Sequence, residues 1–510
     1  MDSMEHSTTQ MGESKKEITE TSAGHMMAPS DPDNPLNWPL HRRIYVSAVA
    51  FAFAFVVAFG ATCYTAGISD VVKRFDVSMT TAILGLSLYL LGIAFAPITT
   101  PHLSERLGRS VVYLISLPVF GLFLVGAGAS HNFATLAACR FFAGFFGGPC
   151  LVLIEGTFAD VWSTDATVTY YSFLSLAAYV GTGAGPLVGG FVVAAKGWRW
   201  TQWVTVMLAL AAYLLGLGMP ETYQRSIMRR RAVRRGLPPV KLAKAGSGET
   251  LQEMLQVTLF SPLKMLVTEP IVIGTSLYLG FNFALIFSFF IAVPVVLEAT
   301  YGFDIREVGL AFIAAIVGAL LACFTSALID RLTTPRLLKR SHNGMIDLEH
   351  RLYPAMIGGF GILASLFWIG WTASPRFRWA SPVLGTFLYV WGNVSVLNSA
   401  VPYLFDAYPP AGTLSALTAA ASCRLVLAAA LPLVIIQMFQ GLTGAWALST
   451  FGFISAALLP LPWILFKLGV TLRARSKYNH GIMAMEERIS GRKGSEIQST
   501  GDMSAGTQAV

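Results

Sequence analysis

Three ionised side chains fall inside stretches that are otherwise apolar: Arg140, Glu155 and Arg424. A charge in the middle of a hydrocarbon layer costs about 2.5–3.5 kcal/mol on insertion scales, so each requires a partner on another helix or a water-lined space. Arg140 and Glu155 cannot serve one another directly, because the fifteen residues of helix between them rise roughly 22 Å. Arg140 either takes part in an ion-coupling or substrate path or ties its own helix to neighbouring carbonyls, and the default for an intramembrane charge is the first. Glu155 stands near a helix end, where it can titrate or snorkel to the interface. With Asp160, just beyond it, these residues form the candidate proton-coupling set, and Glu105 is a further titratable group outside the apolar runs. His41, His102, His131, His342, His350 and His480 all fall in loops or tails, so a histidine proton relay has no support.

Two polar stripes recur at helical spacing. Tyr278 and Asn282 are one turn apart, and Trp391, Ser395 and Asn398 follow at i, i+4 and i+7. With Arg424 they form the candidate substrate cavity, a mostly apolar pocket carrying a few placed hydrogen-bonding groups. The other reading of each stripe is interhelical glue. Apart from Glu155 no carboxylate is firmly intramembrane, so neutral or anionic substrates are expected over cationic ones. No Walker A sequence, no paired catalytic residues and no metal-ligand cluster occur, which speaks against an ATP-driven pump and against an enzyme. No cofactor is expected beyond an ion gradient.

The elements that must position these groups follow from composition. Charged residues make up 13% of the 510 residues and hydrophobic types 54%, with a mean hydropathy of +0.59. A soluble protein of this size would carry roughly a quarter charged residues, so lipid is the expected solvent. The net charge of +8 does not indicate nucleic acid, since the basic residues lie in short loops rather than on a folded polar face. All five cysteines lie within apolar runs, and no structural disulfide is expected.

A helix needs about 20 apolar residues to cross a bilayer. Twelve such runs are expected near 44–66, 82–101, 111–129, 133–158, 171–195, 200–219, 271–297, 308–329, 354–373, 380–404, 413–438 and 444–467. They divide into an N-terminal six-helix bundle (44–219) and a C-terminal one (271–467), joined by a basic linker (220–270). The tails 1–43 and 468–510 are polar and expected to be disordered, and Gly236–Gly248 has the composition of a mobile loop. Assigning loops alternately puts 27 Lys/Arg on the tail-and-linker side and 7 on the other, with Arg140 and Arg424 within spans. The positive-inside rule then places both termini and the linker in the cytoplasm. The sequon Asn393-Val-Ser395 falls inside a span and cannot reach a lumenal glycosylation site.

Span 5 carries Gly181, Gly185, Pro186, Gly189 and Gly190, with glycines four apart that let a neighbouring backbone approach closely. The loop after span 2 reads Leu103-Ser104-Glu105-Arg106-Leu107-Gly108-Arg109, and span 4 carries Leu136-x-x-x-Arg140-Phe-Phe-Ala-Gly144. On these motifs the chain resembles the major facilitator superfamily, specifically the fungal twelve-span drug:proton antiporter branch. Asp31-Pro-Asp-Asn-Pro-Leu-Asn-Trp38, Gly197-Trp-Arg-Trp-Thr-Gln-Trp203, Pro220-Glu-Thr-Tyr223, Glu349-His-Arg-Leu352 and Arg473-Ala-Arg-Ser-Lys-Tyr478 extend the resemblance over roughly residues 31–478. One departure is Pro101, which stands where the superfamily's loop motif has glycine.

The resemblance implies an all-α integral membrane fold and alternating access: two six-helix bundles rocking about a central cavity. It implies export of a small, largely apolar molecule, a drug, toxin or secondary metabolite, driven by inward proton flow. It implies an arginine at position 140 engaged in proton coupling. Glu105, Arg106, Gly108 and Arg109, with the span 5 glycines and Pro186, are its conformational motifs. A monomer in the plasma membrane is expected, with the bilayer, protons and the substrate as partners. An importer or facilitator on the same fold, or a non-transporting sensor, are the alternatives.

Overall fold

A computed structural model describes Met27 and residues 31–162, 167–234, 259–340, 348–408 and 410–476. Gly236–Gly248 and both distal tails lie outside the described residues. Among the described residues the secondary structure is helical throughout: α1 (Leu40–Cys63), α2 (Ile68–Phe75), α3 (Met79–Ala94), α4 (Ala96–Leu107), α5 (Arg109–Gly128), α6 (Phe133–Val161), α7 (Thr167–Lys196) and α8 (Arg199–Gly216) form the N-terminal half. Helices α9 (Gln224–Arg234) and α10 (Ser261–Thr268) belong to the linker. The C-terminal half comprises α11 (Pro270–Tyr301), α12 (Ile305–Ala311), α13 (Ile313–Arg340), α14 (Tyr353–Thr372), α15 (Ala380–Ala407), α16 (Pro410–Gly441), α17 (Gly444–Leu458) and α18 (Leu461–Arg475).

Helix starts are set by side chains that take orphan backbone donors: Ser78 accepts from the Thr81 N–H, Asn132 from Thr135, and Asp304 forms a capping box with Glu307. Large apolar side chains point away from the protein, among them Leu122, Leu214, Phe324 and Phe453, each more than half exposed. A surface of that kind suits acyl chains rather than water.

By length and composition ten helical stretches can cross a membrane, and α3 with α4, bent by 42°, makes an eleventh. The twelfth expected span, 200–219, corresponds to α8. It falls short because its first turn carries Arg199, Thr201 and Gln202, yet it packs against α1 and α5 within the N-terminal half. The N-terminal tail also departs from expectation. Pro35–Asn37 form a 3-10 turn, Trp38 is buried, and the Arg42 guanidinium lies 3.9 Å from the Trp38 ring centre. Asp31 and Asp33 both accept from Arg231 of α9, which raises that guanidinium still further above its usual range. The linker is thus partly helical and clasped to the segment that enters α1.

The halves meet along two lines, α3 against α16 and α7 against α12, α13 and α15. In α7 the glycines face two ways. A Cβ at Gly181, Gly185 or Gly189 would lie 2.1–2.9 Å from atoms of α1, whereas one at Gly190 would lie 2.6 Å from the Ile305 carbonyl of the other half. Gly309 of α12 returns the contact, packing over the Pro186 and Leu187 carbonyls. Gly185 is the tightest point, so Gly185→Val is expected to separate α7 from α1. The measurement is a monodisperse gel-filtration peak, which the variant should lose, since a side chain there overlaps Thr62 and the Cys63 backbone.

The bend between α3 and α4 has a chemical origin. Pro97 and Pro101 have no N–H, so the Pro97 carbonyl lacks its usual helical donor. The Ala94 carbonyl is also released, because the Ile98 N–H turns to Phe95 instead. Across the interface Thr418 donates to the Pro97 carbonyl at 3.3 Å and Ser422 to that of Ala94 at 3.2 Å. Pro101, the departure from the superfamily motif, therefore supplies an acceptor that joins the halves.

Candidate functional site

Arg140 is fully buried. Its Nε donates to the Gly85 carbonyl at 3.0 Å, and its terminal nitrogens donate to the carbonyls of Gly60 at 2.7 Å and Ala61 at 3.0 Å. The last turn of α1 leaves carbonyls without helical donors as it tightens into the 3-10 turn Tyr64–Gly67, and the guanidinium takes two of them. The rings of Tyr64 and Tyr89 flank it, with centroids at 4.7 and 4.3 Å. Both hydroxyls bond onward, Tyr64 to the Ala82 carbonyl and Tyr89 to that of Val57. Arg140 thus ties α6 to α1 and α3 through backbone oxygens.

Asp160 closes a second cluster on the face that carries the linker. Arg109 grips it with two nitrogens, at 2.8 and 3.0 Å. Only glycine at position 156 lets that arm cross α6, since a Cβ there would fall 1.4 Å from an Arg109 nitrogen. Gly108 holds φ at +95°, a conformation strained for any other residue. Beside it Glu221 accepts from the Arg109 N–H, the Ser110 hydroxyl and Arg230 of the linker. Glu105 and Arg106 are exposed at this edge. The C-terminal half repeats the device: Arg351, just ahead of α14, pairs with Asp406 at the end of α15, and Arg473 pairs with Glu349. Glu221, Asp406 and Glu349 were not singled out from sequence; Pro-Glu-Thr-Tyr and Glu-His-Arg-Leu were the available signals.

The third cluster lies where the halves meet. Glu155 of α6 is half-buried. The charge of Arg424, from α16 of the other half, acts on Glu155 and on Tyr179 of α7. Arg424 lies over the Phe283 ring at 5.2 Å, and its Nε is buried without a hydrogen-bond partner. Tyr179 donates across the interface to Asn393 Oδ1 at 2.6 Å. The Asn393 amide donates in turn to the Asn282 carbonyl at 2.7 Å, which also accepts from Tyr389 at 2.8 Å. The Asn282 side chain donates to the Tyr278 carbonyl, leaving its Oδ1 buried and unpartnered.

The expected stripes therefore divide. The charge of Arg424 reaches Glu155 across the interface between the halves, and the Asn282 carbonyl holds the Asn393 amide that bridges to Tyr179. Asn398 also faces that interface, accepting from Ser175 of α7 at 2.6 Å. Trp391 and Ser395 turn into their own half: the indole donates to Thr325, and Ser395 bonds to the Trp391 carbonyl beside Gly358. The Tyr278 hydroxyl likewise points at Gly359 of α14. These three serve as packing between helices, because residues that share a helix face need not share a neighbour. Tyr179, Asn393 and Ser175 were missed, although Ser175 and Tyr179 stand one turn apart. Among the described residues no group of acidic, histidine or cysteine side chains could hold a metal ion.

The family description "Major Facilitator Superfamily" matches residues 50–431. The sequence is 33% identical over 491 residues to Polyamine transporter 4 of Saccharomyces cerevisiae, covering 91% of this chain and 74% of that one. It is 32% identical over 461 residues to a citrinin biosynthesis cluster MFS transporter of Monascus ruber, covering 88% and 91%. Among solved structures it is similar to the proton:xylose symporter XylE, with a TM-score of 0.61 at 14% identity over 84% of this chain and 96% of that one. The human organic anion transporter MFSD10 (TETRAN) gives 0.58 at 17% identity, covering 84% and 100%; both likenesses concern the fold.

Proposed function

Because the chain belongs to the major facilitator superfamily and is a multi-pass membrane transporter of small molecules rather than an enzyme, we propose that it is a proton-coupled exporter of a small, largely apolar organic molecule working by alternating access. The observation that carries this reading is that Glu155 of α6 lies within electrostatic reach of Arg424, a charge of opposite sign on α16 of the other half. A carboxylate at such a point can exchange a proton for a ligand as the halves rock. Asp160 is paired with Arg109 and Arg140 with backbone carbonyls; Glu155, a carboxylate on α6 under the charge of Arg424 from the other half, is the proton carrier in this reading. The names of the relatives, a polyamine transporter and a transporter of a citrinin biosynthesis cluster, support an organic solute.

The energetics suffice. One proton crossing 100 mV releases about 2.3 kcal/mol, while a hundredfold solute gradient costs about 2.8 kcal/mol, and a pH difference supplies the remainder. The basic bias of the linker side supports cytoplasmic termini. A monomer in the plasma membrane completes the reading, with no cofactor beyond the proton gradient.

The test is flux into reconstituted vesicles with an imposed pH gradient. Acid-inside vesicles should accumulate substrate through exchange for outgoing protons, and collapsing the gradient should stop it. Accumulation only in alkaline-inside vesicles would instead make the protein a symporter, hence an importer; equilibrium binding without flux would make it a sensor.

A further inference from the structure

Each linker helix turns one face into the protein and leaves another bare. In α9 Ser226 and Ala232 are buried, Arg231 is taken by Asp31 and Asp33, and Arg230 by Glu221. Arg225, Arg229 and Val233 follow at i, i+4 and i+8 and so share a face; all three are exposed, as is Arg234. Among the described residues no carboxylate pairs with Arg225, Arg229 or Arg234. In α10 Pro262 and Met265 are buried, and the helix packs on α11 and α16. Phe260, Leu263 and Val267 lie on its other side, each more than half exposed, with Lys264 among them.

Three large apolar side chains turned outward on one short helix mark a contact surface rather than a solvated one. Its place in the fold says which. Helix α10 leads directly into the spanning helix α11, where Leu277 is again half exposed. Helix α9 follows the end of α8, where Leu214 and Leu217 point outward and Tyr45 of α1 bonds to the Leu215 carbonyl. Both linker helices therefore stand at the rim of the lipid-facing surface. The stretch joining them carries Lys241, Lys244 and Glu249 and is too polar to cross a bilayer, so they border the same leaflet. A basic face beside an apolar one at that level matches the headgroups and upper acyl chains of an anionic leaflet.

We infer that the linker is a docking surface for anionic phospholipid in the leaflet it borders: Arg225, Arg229 and Arg234 take headgroup phosphates, while Phe260, Leu263 and Val267 seat α10 against the acyl chains. This holds whatever the transported solute and its direction. Each basic side chain near an anionic surface is worth about a fivefold gain in affinity.

The purified full chain in detergent is titrated with dioctanoyl phosphatidylserine and dioctanoyl phosphatidylcholine, and retained lipid is counted by native mass spectrometry. Phosphatidylserine should be held at least about tenfold more tightly, since three such gains are available. The triple variant Arg225→Gln, Arg229→Gln, Arg234→Gln should erase that preference and leave phosphatidylcholine unchanged. Lys73→Gln with Arg74→Gln, exposed on α2 beyond the other end of α1, should keep it. Phe260→Ser with Val267→Ser should weaken both lipids alike.

Equal retention of the two lipids overturns the inference, as does a preference that survives the triple variant or is lost equally in the α2 pair. Displacement by an equal concentration of inorganic phosphate would make the face a free-anion site, and tighter retention of a hexaglutamate peptide would make it a protein contact; either overturns the lipid assignment. Full retention by the two-serine variant removes α10 from the surface. On the unaltered chain the preference should fall as salt rises from about 0.1 to about 1 M, where the screening length shrinks from about 10 to about 3 Å. A constant preference overturns the inference even if the triple variant does not fold.

Discussion

Arg140→Ala loses its fold and its flux in the same preparation. The guanidinium satisfies three carbonyls on two neighbouring helices and fills the gap between two tyrosine rings. Alanine leaves those oxygens facing an empty volume in a region sealed from water, a loss of about 3–5 kcal/mol by analogy with large-to-small core changes and broken buried charge contacts. Arg140→Lys should recover part of it, since an ammonium restores the charge but cannot span the three acceptors that the planar fork reaches. Thermal unfolding in detergent, read beside vesicle flux, checks this. A variant that unfolds normally but has lost only gradient-driven transport would return Arg140 to the coupling path. Normal stability and normal active efflux together would remove it from both roles.

Glu155→Gln has the opposite signature. Glutamine keeps the size and the hydrogen-bonding reach of the side chain but cannot take up a proton, so the protein should fold, reach its membrane and still equilibrate substrate down a gradient. Accumulation against a gradient should fall at least about tenfold, the consequence of losing more than 1.4 kcal/mol of coupling. The comparison is made at one pH difference across vesicles containing equal protein. Undiminished uphill transport would remove Glu155 from proton coupling and turn attention to Asp160 and its Arg109 clamp.

Much of this was legible in the sequence because lipid allows few solutions: an uninterrupted apolar run of about 20 residues must be a spanning helix. The exceptions are local. Arg199 and Gln202 lower the hydropathy of α8, and Pro97 and Pro101 bend α3 into α4. The charges were legible individually, since Arg140, Glu155 and Arg424 each interrupt an apolar run. Their partners were not. Periodicity tells which side chains share a face of one helix, and so grouped Trp391 and Ser395 with Asn398. It does not tell which helix comes to lie against that face, which is why the first two turned inward while Asn398 met Ser175. Asn393 drew notice only as part of a sequon, whereas its side chain bridges the two halves to Tyr179.

The proline bend changes what it takes to part the halves at α3 and α16. In an unbroken helix a carbonyl keeps its internal N–H donor when an outside hydroxyl withdraws, so separation leaves nothing bare. The oxygens of Pro97 and Ala94 have no such reserve, and once Thr418 and Ser422 retreat only water can replace them. Parting at this line is therefore inseparable from wetting it: a dry crack would strand two acceptors, while a hydrated one strands none. Pro101 thereby makes water part of any separation of the halves along this line.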